Sequence, residues 1–167
     1  MKKLCTIILF FIFATSCEKT VMIFPDVDKF VLMLRKGTYD SMFIPAFKPE
    51  DIERLLYYAS DFSSIKSFPI NPISSYMPRE FRLGECLLWT IESIRLTYKE
   101  PDGFKRFPSR VPELIIPGGT IQQPVATITD LNRAWALYNK WWTDNNASDF
   151  DEFRSVNPLE GAVLMWH

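Results

Sequence analysis

Two acids in one apolar stretch, Glu85 and Glu92, are the side chains best suited to reaction chemistry. Glycoside hydrolysis needs a pair of carboxylates, one held protonated and one charged, and either acid could belong to such a pair. Arg95 follows Glu92 by three residues, which on a helix brings guanidinium to carboxylate, so an ordinary ion pair competes with catalysis. Cys86 lies among apolar neighbours with no base in the pattern, and reads as a buried, inert thiol. His167 is the single histidine. Multi-His metal sites are thereby excluded, and a Ser-His-Asp triad would have to rest on that residue.

Other groupings suit binding. Asp144, Asn146, Ser148 and Glu152 are spaced like calcium ligands. Asp149, however, stands where that loop needs glycine and Ser155 where it needs a bidentate glutamate, so no metal is expected. Lys105, Arg106 and Arg110 cluster in a Pro-rich stretch and would either hold an anion or face solvent. Trp135, Tyr138, Trp141 and Trp142 span too wide an arc of one helix for all to be buried. An indole exposed there would stack on a sugar or anchor a partner protein, while core packing is the competing expectation. These four aromatics and three bases form the candidate binding surface. No Gly-rich phosphate loop, Cys-x-x-Cys pair or nucleophile elbow occurs, and no cofactor is expected.

The elements that must position these residues are mostly helical. Val27, Phe30, Val31 and Leu34 recur at helical spacing, with acids before them, bases after them and Gly37 just beyond. Residues 39–47, broken by Pro45, read as an extended connection that packs Met42, Phe43, Ile44 and Phe47 inward. Pro49 opens a second helix with the stripe Ile52, Leu55, Leu56 and Ala59. Residues 61–78 are too rich in Ser and Pro for a regular element, yet Phe68, Ile70, Ile73 and Tyr76 would anchor them. The strongest periodicity runs over 79–99, where Leu83, Leu87, Ile91 and Ile94 with Cys86, Leu88 and Trp89 make an apolar face wide enough for a central helix.

Prolines and glycines exclude a long helix from 101–124 and leave a loop with room for a small hairpin near Pro117-Gly118-Gly119. Thr127 or Thr129 then caps the aromatic helix, which ends at Asp144-Asn145-Asn146. A brief helical turn at 150–153 and an apolar tail at 162–166 follow. No fixed-period repeat or domain break is found. The expected fold is mainly α, an irregular bundle of about four to five helices with long Pro-rich loops.

The beginning of the chain has a different purpose. Lys2 and Lys3, an apolar run over 4–13 and then Ala14-Thr15-Ser16-Cys17 give the pattern of an export signal too short to span a bilayer. Cysteine at that place resembles the bacterial lipobox, which implies cleavage after residue 16 and acylation of Cys17; an ordinary secreted protein is the alternative. Residues 1–16 are thus the signal peptide, 17–24 a lipidated tether and 25–167 a single helical domain. The domain is long enough to bury a core without disulfides.

Lys and Arg number 19 against 20 Asp and Glu, a formal charge of −1, which argues against a nucleic-acid partner. A 47% apolar, 15% aromatic composition argues against disorder. At Asp26-Val27-Asp28-Lys29-Phe30, Ile70-Asn71-Pro72-Ile73-Ser74-Ser75 and 83–95, with Trp141-Trp142 and Asn157-Pro158-Leu159, the sequence resembles a family of uncharacterised lipoproteins from Bacteroides-type bacteria. That resemblance implies a cell-envelope location and a domain of unknown activity, and it transfers no catalytic residue. The expectation is a lipid-anchored envelope protein, on the outer-membrane or periplasmic side, that binds a protein partner or a glycan. The alternative is a carboxylate-dependent hydrolase acting on a glycan.

Overall fold

The computed structural model describes residues 26–78, 80–97, 99, 107–118 and 125–167. Helix α1 (Val27–Lys36) begins where the Asp26 carboxylate accepts the Lys29 N–H at 3.1 Å and ends at Gly37, whose φ of 63° closes the last turn. Its four apolar stripe residues are all buried. A 3-10 turn (Pro49–Asp51) leads into α2 (Ile52–Tyr58), with Ile52, Leu55, Leu56 and Ala59 inside. Between the two helices the expected packing holds only at Ile44 and Phe47. Met42 and Phe43 instead face solvent, at 65% and 37% exposure, because Tyr39 Oη and Ser41 Oγ both donate to the Phe43 carbonyl and fold the segment back on itself.

Helix α3 (Leu83–Thr97) is the centre, and every residue over 83–95 is buried. Each Leu or Ile enclosed there contributes about 1.5–3 kcal/mol through removal from water. The helix starts later than its periodicity implies. Residues Phe81–Arg82 form strand β2 and pair antiparallel with β1 (Ser64–Ile65), Ser64 opposite Arg82. Leu83 N–H then donates to Ser63 O at 2.9 Å and Gly84 N–H to Asp61 O at 2.7 Å, so the first turn of α3 is welded to the chain leaving α2. Tertiary pairing overrides local periodicity at this end.

Strand β3 (Leu114–Ile115) pairs antiparallel with the late strand β4 (Met165–Trp166), and Ile115 also bridges Val125. The hairpin expected near Pro117 thus has flanks that pair, although Gly119 lies outside the described residues. Helix α4 (Ile128–Asn145) is capped by Thr127 in a reciprocal box with Asp130, and the short α5 (Phe150–Phe153) follows. Both α2 and α4 pack on α3. The fold is mainly α, five helices with short antiparallel strand pairs among the described residues.

Gly84 sits where α3 meets the end of α2. A Cβ there would lie 2.3 Å from the Ala59 carbonyl oxygen and 2.7 Å from the Phe62 ring. Gly84→Ala is expected to destabilise the domain by about 2–3 kcal/mol, overriding a helix-propensity gain of about 1 kcal/mol. Urea unfolding should show a lower midpoint with an unchanged slope.

Candidate functional site

The aromatic helix α4 encloses two of its four candidate rings and leaves two part-exposed. Tyr138 is fully buried and Trp141 is only 5% exposed, so neither presents a ring face to a ligand. Leu131, Ala134, Tyr138 and Trp141 lie on the stripe facing the core, and Trp141 packs with Phe150 and Phe153 of α5. Trp135 is half-buried and its Nε1–H donates to the Leu56 carbonyl at 3.1 Å, joining α4 to α2. Trp142 is half-buried against Trp141 and Phe153. Of the four candidate aromatics, Tyr138 and Trp141 are thus enclosed, while Trp135 and Trp142 remain part-exposed, with α5 packed on Trp141 and Trp142. Lys105 and Arg106 lie outside the described residues, as do Cys17 and the segments 1–16 and 17–24. Arg110 is described and exposed.

Glu92 and Arg95 pair as their spacing implies, and the pair lies deep inside. Arg95 Nε donates to Glu92 Oε2 at 2.9 Å, and Arg95 Nη2 bonds Glu92 Oε1. Tyr138 Oη donates to Glu92 Oε2 at 2.8 Å and accepts the Trp166 Nε1–H at 2.9 Å. Burial, reinforced by the Glu92 charge, pushes the Tyr138 hydroxyl well above its usual range, so it remains a donor. Arg95 Nη1 also holds the Arg154 carbonyl at 2.8 Å. This network joins α3, α4 and the two ends of the segment that follows α5. With its oxygens committed, Glu92 serves the fold rather than a reaction.

Glu85 has a different environment. Its Oε1 accepts the Leu114 N–H at 2.7 Å, tying α3 to β3. Burial, opposed by the Leu114 bond and helped by the neighbouring charge of Glu113, raises its carboxyl to about 8. At neutral pH Glu85 is therefore mostly protonated. Cys86 beside it is fully enclosed, and burial pushes its thiol well above the usual range, which fits an inert role.

Glu113 is the residue that sequence reasoning passed over. It is 4% exposed, and its Oε2 accepts the Tyr76 hydroxyl at 2.8 Å. The His167 Nδ1 stands 3.6 Å from the same oxygen, and the Tyr76 and His167 rings lie 4.5 Å apart. His167 N–H donates to the Glu113 carbonyl, while its own carbonyl accepts from Arg110 N–H at 2.9 Å. Asn71 N–H donates to Arg110 O at 3.2 Å. Three distant segments thus meet around a buried acid under a half-exposed Tyr-His pair. The signal in the sequence is an acid enclosed by apolar neighbours in Val111-Pro112-Glu113-Leu114-Ile115, a place where an unpartnered carboxylate would be costly.

The loop over 71–78 forms the outer wall of this site. Ile73 N–H bonds Asn71 Oδ1 at 3.2 Å, and Ser74 Oγ donates to Tyr76 O at 3.1 Å. The bonded backbone presents Ile73 at 87% exposure and Met77 at 64%. Of the four expected anchors, Phe68 is enclosed at 6% exposure, Ile70 and Tyr76 are half-buried, and Ile73 alone faces solvent. Among the described residues no group of three or more His, Cys, Asp or Glu is placed to hold a metal ion. Asp144 is engaged by Lys140 at 2.6 Å.

A family model described as Domain of unknown function (DUF4943) matches residues 22–167. The chain belongs to that family. No curated protein and no solved structure matches it. Among the described residues no helix is long and apolar enough to cross a membrane. The DUF4943 domain therefore extends over all the elements described above, from α1 to β4.

Two measurements check the electrostatics. Glu92→Ala leaves Arg95 charged and uncompensated, and should destabilise the domain by about 3–5 kcal/mol in urea titration. For Glu85 the folded carboxyl lies above its ordinary value of 4.5, so the folded state binds the extra proton. Its contribution is full below pH 4.5 and is lost as pH rises to about 8. Unfolding free energy should therefore fall by about 3–5 kcal/mol across that window in the parent, and Glu85→Gln should flatten the profile.

Proposed function

We propose that this protein is a lipid-anchored module of the bacterial cell envelope that binds a protein partner through the face formed by the 71–78 loop, Arg110 and His167. The anchoring half of this reading is supported by sequence alone, where a short apolar run leads to Cys17. Both the matched family region and helix α1 begin after that cysteine, which is compatible with removal of residues 1–16.

The binding half is carried by one observation: Ile73 is 87% exposed on a loop whose own backbone is hydrogen-bonded into place. An ordered loop that presents apolar side chains loses little conformational freedom on docking. Aliphatic Ile73 and Met77 suit a protein surface better than a sugar, whose recognition favours flat aromatic faces, and the α4 aromatics are largely enclosed. Arg110 adds a polar rim.

A photo-reactive amino acid at position 73, introduced in the native host, should give one discrete crosslinked adduct, and the additional Arg110→Glu change should lower its yield about tenfold. Only diffuse labelling, or a yield indifferent to Arg110→Glu, would remove the binding assignment. Separately, metabolic labelling with an alkyne fatty acid should mark the parent and not Cys17→Ala. An unmarked parent would remove the anchor.

A second reading is a carboxylate-dependent hydrolase acting on a glycan, and the specific observation in its favour is Glu85, protonated at neutral pH beside Glu113. Glu85 would donate the proton and Glu113 would be the second carboxyl group of the pair. Release of reducing ends from envelope glycans that disappears in Glu113→Gln, while melting temperature is retained, would establish this reading over the first. No release by the parent would dismiss it.

A further inference from the structure

The outer stripe of α1 belongs to no contact described so far. At 100° per residue, Lys29, Leu32 and Lys36 fall within one narrow arc, on the side away from buried Val27, Phe30, Val31 and Leu34. Leu32 is 50% exposed, unusual for a leucine in the middle of a helix whose other large aliphatics are enclosed. The remaining charges on the outer side of α1 are neutralised: Asp28 is held by Arg54 at 2.7 Å, and Arg35 by Asp61 at 2.7 Å. Lys29 and Lys36 meet no carboxylate among the described residues. The stripe is therefore a leucine between two ammonium groups on long apolar stems, a pattern that suits the level of lipid headgroups.

Its place in the chain decides what could cover it. From Cys17 to Asp26, where α1 starts, there are so few residues that even a fully extended chain reaches only about 30 Å. If Cys17 carries the lipid, α1 is the first element beside the bilayer, and its unpaired charges are of the sign that anionic headgroups attract within a Debye length of about 10 Å.

We infer that the Lys29-Leu32-Lys36 stripe of α1 is a membrane-resting face, which lies on anionic lipid and orients the anchored domain. This rests on the lipid-anchored reading above. Phe30 on the inner side of α1 connects through Phe68 and Trp89 to Phe107, by ring separations of 6.2, 6.1 and 5.7 Å, so three successive ring contacts separate α1 from the segment that carries Arg110.

The test uses the full processed chain, purified from its host and reconstituted in vesicles. A polarity-sensitive fluorophore is attached at Leu32→Cys or at Ile73→Cys; Cys86 is enclosed and does not compete. Intact mass first reports acylation at Cys17. In phosphatidylcholine vesicles with added phosphatidylglycerol, the probe at 32 should move to shorter wavelength and brighten severalfold, while the probe at 73 stays aqueous. The shift should shrink in high salt, in phosphatidylcholine alone, and in the Lys29→Glu, Lys36→Glu variant, which alters only exposed side chains.

Acylated protein whose probe at 32 remains aqueous in both vesicles would overturn the membrane-resting face and leave the anchor intact. A shift that follows protein concentration and ignores phosphatidylglycerol would assign the stripe to a second copy of the chain, and would also overturn it. Unacylated protein that washes off the vesicles would overturn the anchored reading and this inference together.

Discussion

The structure depends on enclosing one helix from every side. Residues 83–95 of α3 are buried without interruption, so no face of that helix remains for water. Such a helix cannot be stabilised by an amphipathic stripe alone; each side needs its own neighbour, and each polar group needs a partner brought to it. Glu85 receives the Leu114 N–H, Trp89 gives its Nε1–H to Ser109 at 2.8 Å, and Thr90 Oγ1 bonds back to Cys86 O at 2.9 Å. Glu92 takes Arg95 and Tyr138. These polar atoms fix which segments cover α3 and in which register, where apolar contact alone would allow several arrangements.

The same requirement explains how a chain with long irregular stretches remains ordered. Segments around 68–76 and 107–115 lack regular structure for most of their length, yet each carries an aromatic or polar residue that α3 or its covering layer requires. Phe68 and Phe107 both pack on Trp89, and Tyr76 donates its hydroxyl to Glu113. Residue 167 is held by main-chain bonds to residues 110, 111 and 113. The candidate site is a by-product of that covering: the segments that seal one side of α3 leave an acid, a tyrosine and a histidine where they converge.

Much of the fold was legible locally. The α1 boundaries follow from Asp26 and Gly37, the α4 start from Thr127 with Asp130, and the central place of α3 from its wide apolar face. The Glu92-Arg95 pair followed from spacing. The site was far less legible. Glu113, Tyr76 and His167 are 37 residues apart or more, so no periodicity links them; the pairing of β3 with β4 brings Glu113 to His167, and the Asn71–Arg110 bond brings the loop that carries Tyr76. On α4 the arc of the aromatics follows from their spacing, but which of them are enclosed depends on α5, which packs on Trp141 and Trp142.

By itself the sequence determined both ends of α1, the start of α4 and which residues want to leave water, because capping and amphipathicity act over three or four residues. It also set the charge balance and the targeting pattern at its start, from which the anchoring reading comes. Tertiary structure alone decided the strand register at β1 and β2, the depth of the Glu92-Arg95 pair and the protonation of Glu85. Those properties depend on what covers a residue from afar, and burial is a relation between segments that neighbours along the chain do not encode.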